Sequence, residues 1–193
     1  RYAIPIGAAL EMPLLYYALL LRSNRRRDAL IRSRALSETD ALTGLSDEST
    51  LLLRLDHALL RAQRQRHHCA LLGVRLANHD ALLREHGRKV ADRALVVAAA
   101  RLRSIVSDID VAARVGEHTM ALLLEGPLTA ARAQACATQV VAAGLRESRS
   151  LPAGVTLKFL VAIALLPADG VAAAGCLARV RAVLGDMPTD ASR

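Results

Sequence analysis

Apolar and polar positions follow three different rhythms along this chain, and the first is almost uninterrupted. From Ala3 to Leu21 nineteen residues carry one charge, Glu11, together with Pro5 and Pro13. At about 1.5 Å per residue a helix of this length crosses roughly the hydrocarbon thickness of a bilayer. An arginine block follows directly: Arg22, Arg25, Arg26, Arg27, Arg32 and Arg34 are opposed only by Asp28. By the positive-inside rule that block faces the cytoplasm, and each arginine near an anionic leaflet adds on the order of 1 kcal/mol. The pattern predicts a transmembrane helix over residues 1–22, with Glu11 turned toward other helices because a carboxylate is costly in lipid. The alternative is a buried amphipathic helix or a linker helix lying on the domain. A cleaved signal peptide fits poorly, since the basic residues come after the apolar run and no small-residue cleavage site follows. Residues 23–39 read as a cytoplasmic linker helix. Its apolar positions Ala29, Leu30, Ile31, Ala35 and Leu36 suit either a short coiled-coil seam or a solvated connection.

Beyond residue 40 helical and strand periods alternate. Leu51, Leu52, Leu55, Ala58, Leu59 and Ala62 share one helical face, with Ser46 as the expected cap and Asp47 and Glu48 in the first turn. The continuation from Arg61 to His68 is polar and basic. Cys69 to Leu76 is a continuous apolar run, read as a buried strand. Ala81 to Ile105 is helical with a break near Gly87. Val111 to Val115 and Met120 to Leu124 predict two strands joined by a tight turn at Gly116-Glu117, where Gly116 supplies a positive φ. Pro127 fits the first turn of a helix reaching about Glu147. Val155 to Leu166 is a β-rich segment ended by Pro167, Asp169 and Gly170. A last helix runs over about Val171 to Leu184. This order predicts an α/β (α+β) sandwich around a mixed sheet with a central β-hairpin flanked by helices, spanning residues 40–185 and followed by a polar tail, 186–193.

Composition narrows the chemistry. The 193 residues suffice for one domain and an appendage, and a chain opening on Arg1 rather than Met reads as part of a longer protein. Hydrophobic residues make up 53% but aromatics only 2%, so the core must be aliphatic. The net charge of +8 comes from arginine, since Lys89 and Lys158 are the only lysines. That charge is a local block rather than a stripe, and no aromatic platform accompanies it, which argues against nucleic acid as a partner. Cys69, Cys136 and Cys176, an odd count in apolar surroundings, read as reduced buried thiols. His67-His68-Cys69 looks like a soft-metal cluster, yet adjacent residues on a strand point to opposite faces. His118 beside Glu117 reads either as a switchable pair or as a solvated turn histidine. No Ser-His-Asp arrangement stands out, and Gly170 to Gly175 lacks the lysine and strand context of a phosphate loop.

Several segments resemble one family. Asp40-Ala41-Leu42-Thr43-Gly44-Leu45 matches the Asp-x-Leu-Thr-Gly-Leu entry of GGDEF domains at every specified position. The flanks of the 111–124 hairpin are similar to that family's central hairpin. Val155-Thr156 through Pro167-Ala168-Asp169-Gly170 resembles its late strand and Pro-x-Asp-Gly turn. Gly7-Ala8-Ala9-Leu10-Glu11-Met12, with Arg22-Ser23-Asn24, is similar to the last helix of seven-helix intracellular-signalling receptor modules, which often precede GGDEF domains. The resemblance implies a nucleotidyl-cyclase-like fold and the condensation of two GTP into cyclic di-GMP, with a divalent metal held on carboxylates.

The same alignment implies that the chemistry is gone. The turn Gly-Gly-Asp/Glu-Glu-Phe reads Gly116, Glu117, His118, Thr119 and Met120, keeping only the first glycine. The first metal carboxylate falls on Arg75 and the next acidic position on Ala77; a guanidinium ligates no magnesium. The apolar-then-Lys pair over the phosphates becomes His79-Asp80, the guanine-reading Asn becomes Leu83, and its acidic neighbour becomes Arg84. Gly87 and Asp92 match the Gly-His-x-x-Gly-Asp element, with Arg88 and Ala91 at its His and second Gly. The inhibitory Arg-x-x-Asp maps to Ser107-Asp108-Ile109-Asp110, where only Asp110 survives. Asp47-Glu48 replaces Asn-Arg after the entry motif, and on the last helix Arg181 stands for Asp and Gly185 for Tyr. The expectation is a degenerate GGDEF domain with no catalytic residues and no cofactor, in which Gly87, Asp92 and Gly116 are the retained nucleotide contacts. Its partners would be a second copy, a signalling protein, or GTP or cyclic di-GMP, and its place the inner (cytoplasmic) membrane with the domain in the cytoplasm. The alternatives are an active, Mg-dependent diguanylate cyclase and a partner-binding module that takes no nucleotide.

Overall fold

Asp47 opens the first helix by accepting the Thr50 N–H at 2.8 Å and the Ser49 hydroxyl at 2.6 Å. In this computed structural model, which describes residues 38–167 and 172–188, nine elements follow in order. They are α1 (Glu48–Gln65), β1 (Cys69–Leu76), α2 (His79–His86), α3 (Arg88–Ile105), β2 (Val111–Arg114), β3 (Thr119–Leu124), α4 (Ala130–Leu145), β4 (Phe159–Leu166) and α5 (Ala173–Asp186). The apolar run at 3–21, the arginine block and the linker helix up to residue 37 lie outside the described residues; at its expected end Glu38 forms a bend and Thr39 a bridge to Ser46 rather than a helix. Among the described residues no helix is long and apolar enough to cross a membrane.

The sheet has the order β2-β3-β1-β4. Its neighbours are antiparallel throughout, which corrects the expected mixed sheet. The reason is the placing of the crossovers: β1 and β2 do run the same way, but β3 lies between them, and β1 likewise separates β3 from β4. The parallel pairing that exists is an isolated bridge, Ser46 to Ala113. Ser46 is therefore not the helix cap; its N–H donates to the Ala112 C=O at 3.1 Å and its C=O accepts from the Arg114 N–H at 2.8 Å. Capping moves one residue on, to Asp47.

β1 is buried on both faces, as its unbroken apolar run requires. Ala70, Leu72, Val74 and Leu76 face a core built with Leu95 and Leu102 of α3 and Val140 of α4. Cys69 and Leu71 face a second core with Leu51 and Leu55 of α1 and Leu177 and Val180 of α5. On that side α5 sits tight against Gly73: a Cβ there would lie 2.3 Å from Val180 Cγ1 and 2.8 Å from Leu184 Cδ1. Only glycine admits so close a helix.

Other boundaries shift for local reasons. Thr129, not Pro127, caps α4, its hydroxyl accepting the Arg132 N–H at 3.3 Å. The strand expected from Val155 begins at Phe159, because the backbone before it is engaged elsewhere. Asn78 donates to the Thr156 C=O at 2.8 Å and accepts the Lys158 N–H at 3.0 Å, while the Leu157 N–H reaches the Gly144 C=O at 3.0 Å. The break near Gly87 is real: with φ of 76° it ends α2 and opens α3.

Candidate functional site

The hairpin turn is wider than a two-residue turn. The N–H groups of Val115 and Gly116 both donate to the Thr119 C=O, at 3.0 and 3.1 Å. Gly116 is not among the positive-φ glycines, which corrects its expected role. The turn packs closely there instead, since a Cβ would lie 3.3 Å from Thr119 Cβ. Of the other turn positions, Glu117 is exposed, Thr119 pairs with Arg75 across the sheet, and Met120 is buried in β3.

Arg114 holds this turn in shape. Its Nε donates to the Gly116 C=O at 3.1 Å and its Nη2 to the Glu117 C=O at 2.6 Å. Its Nη1 reaches both carboxylate oxygens of Asp40 at 3.1 Å. Asp40 also accepts from the Thr43 N–H at 2.8 Å and the Thr43 hydroxyl at 2.7 Å. Burial alone would raise the Asp40 carboxyl, but the Thr43 hydrogen bonds and the Arg114 guanidinium outweigh it and hold the group below its ordinary value. The entry motif is thus bolted to the hairpin. Sequence reading quoted Asp40 as a motif residue and missed Arg114 altogether; no local signal links two residues so far apart in the chain.

Beside the turn lies a pocket of about 370 Å³ lined by Arg75, Ala77, Asp80, His118, Asp186 and Met187, among others. The backbone fixes its walls, with the Leu76 N–H donating to the His118 C=O at 3.0 Å and the Ala77 N–H to the Lys158 C=O at 2.8 Å. The His118 ring stacks on His79 with centroids 5.4 Å apart and planes 14° apart. His79 is only 6% exposed, and its Nδ1 lies 3.3 Å from Asp80 Oδ1. Burial first, and then the neighbouring His79, push the His118 pKa below its usual value. Arg75 Nη2 donates to the Met187 C=O at 2.7 Å, capping the C-terminal end of α5, while its Nε is buried without a partner.

Two charged residues that the sequence comparison singled out, on α1 and α5, meet each other. Arg181 Nη2 donates to Glu48 Oε2 at 2.5 Å and also to the Val115 C=O at the root of the turn. The acid at the start of α1 and the base on α5 thus form one ion pair.

The remaining sequence candidates fall outside the pocket lining. Gly87 and Asp92 sit at the α2–α3 junction, where Asp92 pairs with Arg88 one turn away at 3.7 Å. Asp110 closes its own loop: Oδ2 accepts the Ser107 N–H at 3.0 Å and hydroxyl at 2.6 Å, and Oδ1 accepts the Glu125 N–H at 2.9 Å. It lines a separate cavity of about 440 Å³ with Arg54 and Arg103. Cys69 is buried, and burial pushes its thiol up to about 11.

Magnesium takes several oxygen ligands in octahedral order. The carboxylates lining the pocket are Asp80 and Asp186, and they share it with the fixed charge of Arg75. Among the described residues no three His, Cys, Asp or Glu side chains are grouped to hold a metal ion. These side chains do not fit the ion.

The family model of the diguanylate cyclase GGDEF domain matches residues 37–184. The chain belongs to the GGDEF family. A signalling protein of uncharacterized role from Caulobacter vibrioides is 33% identical over 110 residues, covering 57% of this chain. The match takes in only 14% of that relative's length. Among solved structures, the GGDEF domain of PA1120 (TpbB or YfiN) from Pseudomonas aeruginosa superposes with a TM-score of 0.69 at 28% identity, covering 74% of this chain and 84% of that one. A sensory box/GGDEF family protein from Caulobacter crescentus gives 0.70 at 25% identity, covering 77% and 96%. The GGDEF fold, with its antiparallel sheet, is what this chain shares with them.

Proposed function

We propose that this GGDEF domain acts in cyclic di-GMP signalling as a receiver and transmitter, without condensing GTP. The observation that carries the reading is Arg75: the position that would present a metal carboxylate presents a guanidinium instead, spent on the Met187 carbonyl. The Glu48–Arg181 pair supports it, because two departures from the family pattern that satisfy one another form a settled structure rather than a damaged site. Transmission has a physical route. The Asp40–Arg114 link joins the entry turn, where a preceding helix would arrive, to the hairpin that borders the pocket. In the full reading residues 1–22 span the inner membrane, residues 23–39 carry the movement, and the domain works in the cytoplasm as a homodimer or on a signalling partner.

Cyclic di-GMP is bound in a crystal structure of DgcB from Caulobacter crescentus, and an activator, SiaC, in one of SiaD from Pseudomonas aeruginosa. Those two ligand classes are the ones to test on this chain. The deciding experiment incubates purified protein with GTP and magnesium and assays the products by mass spectrometry. No cyclic di-GMP is expected above a protein-free control; enzymatic accumulation of it would overturn the reading in favour of an unconventional cyclase.

A further inference from the structure

β4 ends the sheet on one side, and its outer edge lacks the devices that usually guard one. The Ala77 N–H donates to the Lys158 C=O at 2.8 Å, which continues the β1–β4 register by one pair. Antiparallel pairing alternates bonded and non-bonded residues, so Leu160, Ala162, Ala164 and Leu166 bond to β1. The N–H and C=O groups of Phe159, Val161, Ile163 and Leu165 point the other way, and among the described residues they meet no partner. Natural edges are blunted by charge, proline, a bulge or shortness. Phe159–Leu166 is eight residues long, wholly apolar and unbroken in register. Ile163 and Leu165 are also 42% and 39% exposed. α4 extends the same apolar margin. Its Cys136 flank packs on the core, near enough to Asp110 at the start of β2 for that carboxylate to act on the thiol. Val141 and Leu145 lie about half a turn round the helix from Cys136, toward β4, and are 39% and 59% exposed.

We propose that this edge docks β4 of a second copy of the chain, joining two domains into one continuous sheet about a two-fold axis. The inference gives the homodimer named above a surface, and it holds whether or not GTP is turned over. Register identifies the occupant. An axis at Ala162 sets Val161 opposite Ile163, and Phe159 opposite Leu165, of the other copy. These become the bonded pairs, and every outward N–H and C=O of both strands is satisfied. A slip of one residue sets outward groups against inward ones, and a slip of two leaves an end unpaired. The joint is isologous, with the same patch on both sides. Charge agrees with it: the strand carries none, and the antiparallel sense holds the two copies of the adjoining Lys158 at opposite ends of the ladder. The faces that carry Ile163 and Leu165 then lie on one side of the joined sheet, and the apolar flanks of the two α4 helices meet over the joint.

The test is residue-resolved amide hydrogen exchange on the purified full chain, with β1 amides as the control for folding. The outward amides of Val161, Ile163 and Leu165 are expected to exchange about tenfold more slowly than in Ile163→Lys, which adds the guard charge the edge lacks. Ile163→Glu alone should lose the protection as well. Mixing the Lys and Glu variants should restore it, because the axis brings the two 163 side chains to diagonal positions within reach of one another. Leu145→Lys, at the joint on α4, should weaken protection about threefold and decides the matter if Ile163→Lys fails to fold. Outward amides that exchange freely while β1 stays protected overturn the proposal and leave the edge open to a strand of another protein. Protection that survives both Ile163→Lys and Leu145→Lys overturns it too, since the cover then lies elsewhere in the chain. None of these results bears on the GTP assay, so the two readings stand or fall separately.

Discussion

Arg114 reaches one carboxylate and two turn carbonyls, and Asp40 sits at the centre of that arrangement. Hydrogen bonds to charged, half-buried groups contribute about 1.5–3 kcal/mol each. Replacing Arg114 with Ala should therefore destabilise the domain by roughly 2–4 kcal/mol, with Asp40→Asn costing less, as urea unfolding would show. A double-mutant cycle should return a coupling well above the few tenths of a kcal/mol seen for independent sites. The pH sign follows from the lowered Asp40 carboxyl. The unfolded group titrates near 3.9 and the folded one below it, so the stabilisation is complete above about pH 4 and fades as pH falls through the folded value. Asp40→Asn should flatten that acid limb. At this scale the chain was half legible. Asp40 of the entry motif and Arg75 could be singled out from sequence, since each stands at one position of a short motif. Their partners, Arg114 and the Met187 carbonyl, could not, because those bonds join segments brought together only by the sheet.

Helices and strands were placed well wherever one face is apolar over several turns, and less well at their ends. Ser46 and Pro127 both looked like helix starts, and in each case a neighbour with a better-aimed oxygen, Asp47 or Thr129, took the role. The β4 boundary depended on Asn78, a residue of another loop. Gly73 shows the opposite case, where a residue with no side chain determines how two elements meet. The Cβ of Gly73→Ala would push Val180 and Leu184 of α5 away from β1. Overpacking of this kind costs about 1–3 kcal/mol. The companion change Val180→Ala should recover part of the loss, measured as a smaller shift in Tm for the double variant than for Gly73→Ala alone.

The whole domain is two aliphatic cores separated by one sheet, with β1 in contact with both. The sheet's direction was misjudged from sequence because apolar runs show that strands exist and not which of them lie side by side. Central placement predicts a gradient of local stability. Amides of β1 should exchange with deuterium last, near the rate of global unfolding, while those of β2 at the sheet margin exchange earlier. Equal protection of β2 and β1 in mass spectrometry would contradict the described strand order.

The contact between Glu48 and Arg181 also bears on how this sequence can change. Restoring an acid at position 181 by itself would set two negative groups against one another at the base of the hairpin. Restoring a base at position 48 by itself would do the same with two positive ones. Each single change of charge meets repulsion, so the two positions exchange their charges at little cost only when both change together.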